Sequence, residues 1–130
     1  MKERLEKELE LLQQFHPGIV YKSNGHWFYI PSYTLPMGWN REYTEVAFQI
    51  KKGYPGTKPY GFYTPRGIRF NNQMPQKYKE PAKNQPPFEG EWGQFSWSIK
   101  GSWEPTTDII AGSNLVNWVN SFRDRFNEGV

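Results

Sequence analysis

Cysteine is absent from this 130-residue sequence. The chain therefore has no thiol of its own to carry a thioester, close a disulfide or hold a soft metal. Histidine is almost as scarce. His16 and His26 are the only two, and neither stands at metal-ligand spacing from another strong donor, so neither a metal nor any other cofactor is expected. No apolar run approaches the ~20 residues of a membrane span. The charged start Lys2-Glu3-Arg4-Leu5-Glu6-Lys7 has no apolar stretch behind it and does not read as a signal peptide. With the missing cysteines, this points to a reducing cytoplasm. Glycines are scattered, and no Gly-Lys-Ser/Thr phosphate loop occurs.

Aromatic rings are what the chain has in quantity. Six Trp, eight Tyr and nine Phe can each bury a large area, so the core is expected to be built from rings, and disorder is excluded. The length suits one domain, residues 1–130. A net charge of +3 is an ordinary solvated surface, and makes a nucleic-acid partner a weak reading.

Hydrophobic spacing predicts an amphipathic helix over residues 2–15, with Leu5, Leu9, Leu12 and the pair Leu11/Phe15 on one face, ended by Pro17-Gly18. Two β-rich runs, 19–22 and 26–30, flank an Asn24-Gly25 turn and predict a hairpin. Pro31 and Pro36 bound a loop. Residues 42–52 and 60–64 supply third and fourth strands, completing an antiparallel meander. Residues 65–91 then lose all periodicity, with five prolines (Pro65, Pro75, Pro81, Pro86, Pro87) and Lys77, Lys79 and Lys83. A stretch of that length signals function or a missed element, and Phe70, Met74, Tyr78 and Phe88 are available to pin it down. Thr106-Thr107-Asp108 reads as a helix start. A final helix begins near Asn114, capped by Ser113, with Leu115, Trp118, Val119, Phe122 and Phe126 inward, Arg123 and Arg125 near its end, and Gly129 beyond. Strands followed by helices argue an α+β fold with the helices gathered on one face of the sheet.

Chemistry is harder to find. Ser96 and Ser98 flank Trp97, but no nucleophile elbow surrounds them and no histidine is near in sequence. Glu89, Glu91 and Asp108 are the carboxylates available to a hydrolase, and Glu89/Glu91 reads more simply as a solvated loop. Trp27, Trp97 and Trp118 fit core positions. Trp39 and Trp92 lie in loops, which leaves open a module that stacks sugars or single-stranded nucleic acid.

In order along the chain, Tyr54-Pro55, Pro59, Phe62, Thr64 and Trp103-Glu104-Pro105 resemble the signature of the ubiquitin-conjugating (UBC, RWD-like) fold. In that fold a helix precedes a four-stranded meander, a long active-site segment and closing helices. Leu35-Pro36-x-Gly38-Trp39-Asn40 is more similar to a bacterial branch, prokaryotic family E. The resemblance implies a bacterial ubiquitin-like modification system, of a kind that can serve antiphage defence. Its implied partners are a ubiquitin-like modifier, an adenylating activating enzyme and a JAB-type metallopeptidase. It also implies a vestigial active site. Phe70-Asn71-Asn72 stands where the family has His-Pro-Asn, and counting back from Trp103 puts the family cysteine among Phe95, Ser96, Trp97 and Ser98. A non-catalytic, pseudo-conjugating binder is the leading expectation, with contact through the first helix, the sheet face or the long loop. A serine-ester acceptor using Ser96 or Ser98 is the alternative enzyme. The same resemblance predicts Trp103 packed near Ser96.

Overall fold

In the computed structural model, which describes residues 2–130, two helices and six strands follow in the order α1 (Lys2–Phe15), β1 (Val20–Lys22), β2 (Trp27–Thr34), β3 (Tyr43–Gln49), β4 (Phe62–Pro65), β5 (Tyr78–Lys79), β6 (Trp92–Phe95) and α2 (Leu115–Glu128). The strands form one antiparallel sheet in the order β1-β2-β3-β4-β6-β5. The α+β class and the four-strand meander are present. The meander is not the whole sheet, because β6 adds to the free edge of β4 and β5 to β6.

Strand alternation divides the rings between two faces. Phe28, Val46, Phe48, Phe62 and Phe95 pack with Leu5 and Leu12 of α1 and with Leu115, Trp118, Phe122 and Phe126 of α2. Phe62 lies at the centre, stacked on Phe95 (centroids 4.9 Å) and on Phe122 (4.3 Å). Side chains one residue along point the other way: Trp27, Ala47, Tyr63 and Trp92 form a second cluster, closed by Ala82 and Phe88. Residues 82–88 therefore act as a strap over the face the helices leave bare.

The segment 65–91 is thus tied down along its length. Ala82 N–H donates to Trp92 O (2.7 Å), and Gln85 bridges to Trp92 through both ends of its amide. Glu80 is the central tether. Its carboxylate accepts from Gly67 N–H and Tyr78 OH (each 2.8 Å) and pairs with Arg69. These bonds, led by the one from Arg69, pull its pKa down to about 2.

Other local expectations change as well. β2 runs through Pro31 instead of ending there. The register shifts between Ile30 and Tyr33, and β1 pairs only as far as Tyr29, so no ladder bond is asked of the proline nitrogen. No helix starts at Thr106. Asp108 Oδ1 takes the Ile110 N–H (3.0 Å), and Glu104 and Ser113 close the loop with two bonds of 2.9 Å. That arrangement spends the donors a helix would need. Asn114 rather than Ser113 caps α2, in a reciprocal capping box with Asn117 (3.0 Å each way). On α1, Phe15 is 61% exposed and Glu8, at 1%, occupies the buried stripe between Leu5 and Leu12.

Candidate functional site

The chain leaves β6 through Ser96, Trp97 and Ser98, and strand-like alternation sets the ring and the hydroxyls on opposite sides. Trp97 points inward: its Nε1–H donates to Ser121 Oγ (3.1 Å), and its carbonyl accepts from Gly61 N–H (2.8 Å). Ser96 is exposed and Ser98 half-buried. Both line a cleft of ≈ 640 Å³ with Tyr60, Lys77, Lys100 and Arg125. Ser96 N–H donates to Lys77 O (2.8 Å), which fixes one wall to the other. Lys100 lies 3.3 Å from Glu128. Arg125 is buried, with donors on Gly129 O (2.9 Å) and Gln76 O (2.8 Å) and its guanidinium 4.9 Å over the Phe95 ring. Burial pushes its pKa below the ordinary arginine value.

No hydrogen bond links either hydroxyl to a base among the described residues. Among the described residues no side chain hydrogen-bonds to Ser96 Oγ or Ser98 Oγ, and neither histidine lines the cleft. His16 stacks on Tyr33 at 6.1 Å, and its pKa is lowered by burial and then by Arg123. His26 Nδ1 is engaged with Tyr21 OH (2.7 Å) beside a separate apolar groove under α1. A serine without a base is a poor nucleophile at neutral pH.

Asn71 and Asn72 sit elsewhere. They are the two central residues of a tight turn closed by paired bonds between Phe70 and Gln73 (2.9 and 3.0 Å), with φ of 48° and 65°. Asparagine tolerates this left-handed backbone, and neither residue lines the serine cleft. Glu91 pairs with Arg66 at the surface (2.8 Å) and Glu89 is exposed, while Asp108 holds its own turn. Among the described residues no group of three His, Asp or Glu could hold a metal ion, and no helix is long and apolar enough to cross a membrane.

The ring-stacking alternative loses its candidates. Trp39 is 7% exposed with Nε1–H on Phe126 O (2.9 Å), and Trp92 is 1% exposed within the second cluster.

Of the fold-signature residues, Tyr54, Pro55 and Trp103 meet at one corner of the molecule. Tyr54 OH donates to both Glu8 oxygens (2.9 and 2.7 Å), Glu8 also accepts Leu115 N–H at the start of α2 (2.6 Å), and Arg4 pairs with it at 2.9 Å. Burial, then the Glu8 charge, push the Tyr54 pKa far above its ordinary value. Trp103 takes neighbours other than the expected Ser96: its Nε1–H donates to Pro55 O (2.8 Å), with its ring 6.2 Å from Tyr54. Pro59 is buried, Phe62 and Thr64 of β4 are fully so, and Pro105 is half-buried. Sequence reasoning missed Glu8, and read Arg125 only as a cation at the helix end rather than as a buried residue. Both lie in step with apolar stripes, Glu8 between Leu5 and Leu12 and Arg125 between Phe122 and Phe126, and that registry was the available signal.

A search of curated proteins and of solved structures returns no match to the chain. A family model does match: it spans residues 12–120, from the end of α1 through the sheet, the serine cleft and the first turns of α2. The chain belongs to the prokaryotic E2 family, family E.

Proposed function

We propose that this protein is a non-catalytic member of its family that binds a ubiquitin-like modifier or an enzyme of the modifier's pathway. One observation carries the reading. Where counting from Trp103 places the family's thiol, the chain presents Ser96 and Ser98, and among the described residues no side chain hydrogen-bonds to either hydroxyl. The surrounding frame, by contrast, is fully built. A protein that keeps the frame without the reactive atom is suited to holding a partner rather than passing an acyl group on. An adenylating activating enzyme and a JAB-type metallopeptidase are the further partners of such a pathway, and defence against phage is a process it could serve.

The test is titration of the purified protein with the modifier and activating enzyme encoded beside its gene, read by calorimetry and co-elution. A stoichiometric complex that forms without ATP is the expected result. Absence of binding to every neighbouring product sinks the proposal. An ATP-dependent, alkali-labile adduct lost in Ser96→Ala or Ser98→Ala replaces it with an ester-forming enzyme.

A further inference from the structure

Two clefts share one residue. The serine cleft and a second one, lined by Gln49, Lys51, Tyr63, Lys83 and Gln94, meet at Tyr60, whose ring is 58% exposed on the ridge between them. Lys79 lies beside the second cleft, paired across the strands with Gln94. Lys51, Lys77, Lys79, Lys83 and Lys100 are all exposed along this track. Five exposed lysines beside a single carboxylate make this track locally cationic. Among the described residues Lys51, Lys77, Lys79 and Lys83 have no carboxylate within 4.0 Å, and Glu128 is the only acid in either lining.

We infer that this track is a docking surface for an extended acidic segment of a partner protein, laid from the Lys51/Lys83 cleft over the Tyr60 ring into the Lys77/Lys100 cleft. The inference rests on the binding role proposed above and gives that partner its chemistry. Charge complementarity selects the occupant: an anionic strand gains from cations on both sides of the ridge. Amide and hydroxyl groups of Gln49, Gln94, Ser96 and Ser98 line the same path and suit a peptide backbone. Tyr60 supplies an amphipathic ring for a side chain to cover. A single-stranded nucleic acid would need successive exposed rings to stack on. The other rings of the clefts, Tyr63 and Trp97, are buried.

Fluorescence anisotropy tests this with a labelled peptide of about twelve alternating Glu and Gly residues, beside a Lys/Gly peptide and an oligothymidylate of similar length. The acidic peptide is expected to bind most tightly and to weaken about tenfold or more between roughly 50 and 300 mM salt. The pairs Lys51→Glu/Lys83→Glu and Lys77→Glu/Lys100→Glu are each expected to weaken it about tenfold, and Tyr60→Ala about threefold. The control pair Lys2→Glu/Lys7→Glu on α1 should leave it unchanged. Tighter binding of the oligothymidylate, or equal binding by the charge-reversed pairs, overturns the inference. The two proposals fail separately. If a pathway partner binds wild type and both charge-reversed pairs alike, this surface is refuted and the binding role stands. If the acidic peptide binds as expected but no pathway partner does, the surface stands and the role falls.

Discussion

The Glu8–Tyr54 corner and the Ser96–Ser98 cleft are both polar, and the family resemblance runs through both, yet the protein treats them in opposite ways. At the corner a buried carboxylate accepts from Tyr54, Arg4 and Leu115 N–H. It joins α1, the turn before β4 and the start of α2, and both of its oxygens are engaged inside the molecule. In the cleft, among the described residues, two hydroxyls have no internal hydrogen bond, and two lysines stand at the rim. A satisfied buried network specifies structure. Polar groups left free at a surface are available to something else.

The largest way to break this contrast is Glu8→Ala. It leaves Tyr54 OH and Leu115 N–H buried without a partner, and about 3 kcal/mol of stability should be lost, read by denaturant unfolding. A loss below ~1 kcal/mol would mean that the corner is not the junction its bonds suggest.

Next is Glu80, the tether of the segment that carries Lys77 to the cleft. Its pKa falls from 4.5 to about 2 on folding, so its contribution is complete above pH ~4.5 and is lost as pH falls toward 2. Glu80→Gln should cost about 2 kcal/mol at neutral pH and flatten the acid limb of stability against pH. An unchanged acid limb would assign that limb to other carboxylates.

Trp103→Phe removes the Nε1–H donor to Pro55 O and should cost about 1 kcal/mol, again at the corner. The smallest effect belongs to the cleft. Ser96→Ala and Ser98→Ala should stay within ~0.5 kcal/mol of wild type, and a larger loss in either would show that its hydroxyl does structural work after all.

Much of the frame could be read along the chain. The first helix, the hairpin, the third and fourth strands and the last helix follow from spacing, because a period of two or 3.6 is a local property. The sixth strand and the strap could not be read this way. Trp92–Phe95 is four residues long, and its place beside β4 depends on pairing across about thirty residues. Residues 82–88 have no period at all, because they are fixed by Gln85 and by rings on the sheet face rather than by their own backbone. The same limit applied to Trp39 and Trp92. A loop position suggested exposure, whereas α2 and the strap bury them.

The cleft divides in the same manner. That Ser96 and Ser98 stand where a thiol was to be sought came from counting residues. That Asn71 and Asn72 belong to a separate turn, and that Tyr60 links two lysine-rimmed clefts, depended on how distant segments meet.

By itself the sequence determined the ring-built α+β frame, because side-chain period and turn chemistry act over a few residues. It also determined the absence of a thiol, because composition is not altered by folding. Only the tertiary structure decided which polar groups are consumed and which remain free. Glu8 and Ser96 are both ordinary polar residues in the one-dimensional chain, and only three-dimensional packing brings Tyr54 and the start of α2 to the carboxylate while leaving the hydroxyl facing solvent.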